Sequence, residues 1–308
     1  MDIIKTLCSE LNIKKEQAEN TIKLLDEGNT IAFIARYRKE VTGSLDDKIL
    51  RTFYDRLNYL RSFNERSDEI IRLITEQGKM TDEILAAVNN AKILQELEDI
   101  YRPYKQKKRT RATIAKEKGL EPLADIILLQ KENSGSLSQI AEPFINPEKG
   151  TENAEDAISG ACDIIAEMLS DNADCRKFIR NFTQHEGVLH TKNTKDEDSV
   201  YRMYYDYREP VSRVQGHRVL AVNRGEREGM LKAGVEIEDA LALQEIRRAV
   251  FRGVSISNAF VNACCEDAWR RLIEPSVERE VRGALTESAD EAAIRAFGQN
   301  LQPLLMQP

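Results

Sequence analysis

Apolar residues recur at intervals of three and four along most of the chain, the repeat that puts side chains on one face of an α-helix. Over residues 2–40, Ile4, Leu7 and Leu11 share one face and Ala18, Ile22 and Leu25 another, with Gly28 as a stop and Thr30 as an N-cap for the next segment. Three short, closely spaced helices are predicted there, arranged like a helix-turn-helix cluster. After Gly43, the Ser44-Leu45-Asp46-Asp47 sequence has capping-box spacing ahead of one long helix. Its Leu50, Phe53, Leu57, Leu60, Ile71 and Ile74 follow heptad positions. Asn64 and Ser67 fall in that seam, which predicts a bend or polar contact midway, and Gly78 ends the helix. Thr81 opens another helical stretch, which Leu94, Leu97 and Tyr101 continue until Pro103 forces a kink or break near Arg102.

A strongly basic segment then runs from Tyr104 to Lys118, pinned before an apolar helix carrying Leu123, Ile126, Ile127 and Leu128. Residues 131–153 are turn-rich around one short helix, and Ile158, Ala161, Cys162, Ile165 and Leu169 mark a long one, followed by a shorter one from Asp174 to Phe182. Between 186 and 238 the texture changes: Val188-Leu189-His190, Val219-Leu220-Ala221-Val222 and the alternation Leu231, Ala233, Val235, Ile237 read as short strands. Beyond 239, Phe260, Cys264, Ala268 and Leu272 share a helical face; a break is expected at Pro275, with Ser276 capping a last helix through Phe297. The expected organisation is mainly α, a multi-helix scaffold with a small β element near 186–238. Its parts are a helical domain over 1–185, a mixed segment over 186–238, a helical segment over 239–300 and a linker-like tail over 301–308.

Composition adds little to that fold but narrows the chemistry. With 31% charged and 41% apolar residues in 308, the chain suits a folded helical protein and not a disordered one. A net charge of −7 means that any contact with nucleic acid must come from local basic patches. No signal peptide and no run of membrane-spanning length is present, so a cytoplasmic protein without a membrane partner is expected. The five cysteines, Cys8, Cys162, Cys175, Cys264 and Cys265, lack Cys-x-x-Cys spacing, and we expect them reduced and mostly buried.

No P-loop, Gly-x-Ser-x-Gly, His-Glu-x-x-His or dinucleotide fingerprint occurs, so neither enzyme activity nor a cofactor or metal is expected. His185, His190 and His217 read as ordinary surface or hydrogen-bonded histidines. The densest charge lies at Arg102-Pro-Tyr-Lys-Gln-Lys-Lys-Arg-Thr-Arg111, where Lys105, Lys107, Lys108, Arg109 and Arg111 crowd beside Tyr101 and Tyr104. Cations that neutralise phosphate next to rings that stack on unpaired bases suit a nucleic-acid contact. The alternative is a solvated segment whose tyrosines pack in the core and whose cations pair with Glu98, Asp99 and Glu117. A second candidate, Arg36, Arg38 and Lys39, ends the third helix: as a recognition helix it would place Arg36, Lys39 and Glu40 toward a groove, while cations there also complement the helix dipole with no partner at all. A third, around His217, Arg218, Asn223 and Arg224 between Gly216, Gly225 and Gly229, reads as a tight structural junction, with anion or partner contact as the alternative.

Four segments in order resemble the Tex family of bacterial transcription accessory proteins: IAFIARYRKEVTGSLDD at 31–47, LEDIYRPYKQKKRTRATIAKEKGLEPLA at 97–124, GHRVLAVNRGEREG at 216–229 and RLIEPSVEREVRGAL at 271–285. The resemblance implies an association with transcription, binding of RNA or DNA, and a fold related to the core of a eukaryotic elongation factor. It also implies that the sequence corresponds to the family's N-terminal portion, without the RNase H-like, helix-hairpin-helix and S1 domains. A nucleic-acid-binding scaffold is the expected function. The alternative is a protein-interaction scaffold that docks on RNA polymerase or on those C-terminal domains.

Overall fold

A computed structural model describes residues 2–306 apart from 107, 132–134, 196, 252 and 254. The chain divides into two compact units, Met1–Lys105 and Gln106–Pro308. The boundary falls inside the span that the sequence pattern suggested as one domain over 1–185.

The first unit is built along one long helix. Helices α1 (Ile3–Leu11), α2 (Lys15–Asp26) and α3 (Ile31–Tyr37) precede α4 (Asp47–Glu76), and α5 (Asp82–Asn90) and α6 (Leu94–Tyr101) follow it. Asp2, Thr30, Asp46 and Thr81 each accept a backbone N–H three residues on, so four of these helices begin at a side-chain cap. Gly28 and Gly78 sit at positive φ just past helix ends. Phe53, Leu57 and Leu60 on the first half of α4 bury Leu7 of α1 and Ala18 of α2, while Leu50 packs with Leu24, Ile34 and Leu45. On its second half Phe63, Ile70 and Ile74 meet Val88, Leu97 and Tyr101. The 30-residue helix is uninterrupted, and Phe63 and Ile70, not Asn64 and Ser67, carry its seam through the middle. An α-helix drifts against a strict heptad repeat, so after Leu60 the buried positions shift by one to Phe63 and Ile70, before Ile74 returns to the heptad set.

The second unit contains α7 (Arg111–Glu117), α8 (Glu121–Leu129), α9 (Leu137–Ala141), α10 (Ala154–Ser170), α11 (Ala173–Glu186), α12 (Gly216–Arg227), α13 (Asp239–Val250), α14 (Asn258–Asp267) and α15 (Glu274–Leu305). Strands β1 (Val188–Asn193), β2 (Arg208–Pro210) and β3 (Leu231–Glu236) form an antiparallel sheet in the order β2-β1-β3. Ile164, Ile165, Ile179, Trp269 and Val277 lie in a core to which α10, α11 and the 258–281 helical run contribute, and the Trp269 indole N–H donates to Asp239 at 2.9 Å.

Three sequence expectations need correction here. Val219-Leu220-Ala221-Val222 is not a strand but the centre of α12, with Val219 and Val222 buried. Four consecutive apolar residues fit either period, and only the packing of the helix decides. Pro275 does not break the chain: α14 runs into α15 through a π-helical segment, Ala268–Ile273, where the Glu274 N–H donates to Trp269 O five residues back. The wider turn precedes a residue that has no N–H to give and whose ring crowds the preceding turn. The tail, expected to be linker-like, continues α15 to Leu305.

Candidate nucleic-acid interface

Helix α3 is short, and its one buried residue, Ile34, seats it against Leu24, Leu45 and Leu50. That seating leaves Phe33 half-buried and turns the C-terminal residues outward. Tyr37 is 59% exposed, its ring lies 5.3 Å from that of Phe33, and the Arg38 guanidinium sits over Phe33 at 5.7 Å. Arg36, Arg38 and Lys39 are all exposed, and among the described residues none is held in an ion pair.

The loop that follows is fixed from below by α2. Gln17 Nε2 donates to the carbonyls of Thr42 (3.2 Å) and Gly43 (3.0 Å), and Asn20 Nδ2 donates to that of Val41 (3.0 Å). Gly43 has φ +63°, and a Cβ there would stand 2.6 Å from Gln17 Nε2, so this crossing needs a glycine. The exposed side chains of residues 36–39 thus project from a backbone anchored on both sides.

The basic stretch is divided between the units. Lys105 closes the first, exposed, but the two neighbouring tyrosines belong to that unit's interior: Tyr101 is buried with the Arg66 guanidinium 5.3 Å from its ring, and Tyr104 is half-buried against the same cluster. Arg66 also takes Glu98, at 2.6 Å, so that carboxylate serves α4 and not the basic run. In the second unit Lys108, Arg109 and Arg111 are exposed, and Arg109 reaches Glu117 at 3.2 Å. Thr110 caps α7, which makes Arg111 its first residue and places a cation at the positive end of the helix. Lys107 lies outside the described residues.

The third candidate is engaged internally. Arg218 donates to Glu209 at 2.5 Å, Asn223 donates to Thr286 at 2.9 Å, and Arg224 donates to Glu228 at 2.9 Å, while His217 is exposed. Burial would raise the Glu209 carboxyl, but hydrogen bonds from Tyr207 and Arg218 hold it below the usual range. Gly225 serves close approach and not a turn, since a Cβ would meet Leu231 at 2.6 Å; of the three glycines only Gly229 has positive φ. Among the described residues no group of three or more His, Cys, Asp or Glu side chains is placed to hold a metal ion, and no helix is long and apolar enough to cross a membrane.

Sequence reasoning missed the rings of the α3 surface. Phe33 and Tyr37 stand at i and i+4, a spacing that announces contact between them.

These features define a helical scaffold with a small antiparallel sheet and exposed cationic segments. Residues 132–297 match the family model described as Tex central region-like, and residues 1–75 match the one described as Tex-like protein N-terminal domain. The chain belongs to the Tex family. It is 44% identical over 307 residues to the Bacillus subtilis protein YdcI, covering 98% of this chain and 43% of that protein. To "Protein tex" of Bordetella pertussis it is 39% identical over 321 residues, covering 99% of this chain and 40% of that protein. To the human "S1 RNA-binding domain-containing protein 1" it is 32% identical over 324 residues, covering 99% and 32%. The chain therefore spans well under half the length of these relatives.

Proposed function

We propose that this chain is a nucleic-acid-binding scaffold of a cytoplasmic transcription accessory protein, acting by binding and not by catalysis. The observation that carries the reading is the α3 surface: an exposed Tyr37 ring beside Arg36, Arg38 and Lys39, on a backbone anchored by Gln17 and Asn20. Dipole complementarity explains cations at a helix C-terminus without any partner. It does not explain an aromatic ring left in solvent among them, whereas a contact with phosphates and bases uses both. Lys105, Lys108, Arg109 and Arg111 form the second cationic segment, in which Arg111 sits at the end of α7 that the dipole disfavours for a cation. The names of two relatives, a tex protein and an S1 RNA-binding domain protein, agree with this direction.

The test is a fluorescence-anisotropy titration of labelled RNA, single-stranded DNA and duplex at two salt concentrations. Binding that weakens steeply with salt, by a log–log slope of about −0.7 per neutralised phosphate on single strands, supports the reading. Binding indifferent to salt contradicts it.

A second reading, docking on RNA polymerase or another protein, is favoured by Ile294, Phe297, Leu301 and Leu304, which are exposed on α15 at three- and four-residue spacing. Stable self-association or capture of polymerase that depends on these residues would support it.

A further inference from the structure

Helix α3 ends at Tyr37, so the three cations beside that ring are held in two different ways. Arg36 is a helical residue and takes its place from the seating of Ile34. Arg38 and Lys39 lie past the last helical residue, Arg38 at φ −130° and ψ 26°, where the helical repeat no longer sets the direction of a side chain. Their backbone carbonyls are fixed by the turn that follows. Val41 N–H and Thr42 N–H both donate to Arg38 O, at 3.1 and 3.2 Å, and Ser44 N–H donates to Lys39 O at 2.7 Å. Thr42 is fully buried, and its hydroxyl lies 3.4 Å from Arg38 O and 3.3 Å from Lys39 O.

The turn itself rests on α2. Gln17 and Asn20 stand three residues apart on one face of that helix, and between them they take the carbonyls of Val41, Thr42 and Gly43. Amides suit this place, because three successive carbonyls need donors, and each side-chain amide supplies two N–H groups without adding a charge. Gln17 Oε1 accepts the Lys14 N–H at 2.9 Å, so the same side chain closes the capping box of α2 and is held at both of its polar ends. Hydrogen bonds thus run without a gap from α2 through residues 41–44 to the carbonyls of Arg38 and Lys39. No such path leads to Arg36, whose backbone belongs to the helix.

We infer that Gln17 and Asn20 are positioning residues of the nucleic-acid contact: they fix where Arg38 and Lys39 present their charges and leave the contribution of Arg36 unchanged. This role rests on the nucleic-acid reading of the α3 surface. Neither amide has to touch the ligand. A cation on a preset backbone meets a phosphate without first ordering the chain, whereas a freed turn must be ordered at the moment of binding, and that cost is subtracted from affinity. Residues that act in this way reveal themselves by coupling. Removing the anchors takes away part of what Arg38 and Lys39 contribute and nothing of what Arg36 contributes, a pattern that a general loss of stability does not produce.

The experiment titrates labelled single-stranded RNA with the full chain at low salt, read by fluorescence anisotropy, and completes two double-mutant cycles. Gln17→Met keeps the length of the side chain and removes its hydrogen bonds; combined with Asn20→Ala it frees the turn. This anchor variant should bind about tenfold more weakly than the parent, the equivalent of ordering one backbone residue. Arg38→Ala with Lys39→Ala should then cost the anchor variant at least about threefold less than it costs the parent, while Arg36→Ala should cost both the same within about twofold. Asn20→Ala alone leaves the α2 capping box in place and should show the same pattern more weakly, which keeps the test decisive if circular dichroism finds the Gln17 variant unfolded. Equal costs of the Arg38 and Lys39 changes in both backgrounds, or full affinity in a folded anchor variant, would overturn the positioning role and leave the nucleic-acid reading standing. No binding by the parent would overturn both.

Discussion

The guanidinium of Arg176, fully buried on α11, donates to the carboxylate of Glu280 on α15, 104 residues further along the chain. Arg176 also donates to Ser276 at 2.9 Å, and Arg180 donates to the second carboxylate oxygen of Glu280 at 2.8 Å. Burial would raise the Glu280 carboxyl, but the two guanidiniums outweigh it and hold it below the usual glutamate range. One carboxylate thus satisfies two cations inside the second unit and fixes where α15 crosses α11.

Removing that carboxylate leaves a buried charge without its partner. Glu280→Ala should destabilise the second unit by about 3–5 kcal/mol, measured by urea unfolding. The depressed pKa sets the pH dependence: the stabilisation is fully present above the unfolded value of about 4.3 and fades as pH falls through the folded value. Melting midpoints of the parent and Glu280→Gln should therefore converge as pH is lowered below about 4.3, and a gap that stays constant would contradict the assignment.

Two glycines of helix interiors should respond with opposite signs. A Cβ on Gly160 of α10 would stand 2.4 Å from Leu120 Cδ1, and Leu120 is itself buried, so Gly160→Ala should cost about 1–3 kcal/mol. Nothing lies within 4 Å of a Cβ on Gly283 of α15, which is exposed and has no positive φ. Gly283→Ala should stabilise by about 0.5–1 kcal/mol in the same denaturation assay.

Side chains close the outer edge of the sheet. On β3, Ala233 N–H donates to Glu226 at 2.9 Å, Val235 N–H donates to Glu278 at 3.2 Å, and Arg282 donates to the Ala233 carbonyl at 3.2 Å. An unpaired strand edge is a template for association. Glu278→Ala should speed hydrogen exchange at the Val235 amide and lower stability by about 1–3 kcal/mol. Unchanged exchange at that amide would show that the carboxylate does not protect it.

What the sequence revealed was what local chemistry decides. Thr30, Asp46 and Thr81 announce helix starts through their own side chains, and Leu231, Ala233 and Val235 recur at every second position because they share one buried face of β3. The run at 219–222 carries no such information, since its place in α12 depends on packing against Leu231 and Tyr201. Pro275 was misread because its effect depends on the π turn before it. The candidate interface was half legible: Arg36, Arg38 and Lys39 stood out as charges, while the exposure of Tyr37 depends on which face Ile34 buries. The reverse holds for Tyr101, whose ring is taken by Arg66 of α4, 35 positions earlier.

Charge reversal at the two cationic segments should separate their roles. Lys108→Glu with Arg109→Glu and Arg111→Glu should lower affinity for every nucleic acid and flatten the salt slope by roughly one unit per lost phosphate contact. Tyr37→Ala should weaken binding to single strands by about 1–3 kcal/mol and leave the salt slope unchanged, because stacking releases no counterions.

The most direct measurement compares the parent chain with Arg36→Glu, Arg38→Glu, Lys39→Glu in anisotropy titrations of labelled single-stranded RNA and DNA at low salt, with circular dichroism confirming that both are folded. A surface on α3 that contacts nucleic acid predicts binding by the parent and at least a tenfold loss in the variant. Equal affinities, or no binding by the parent, would contradict it.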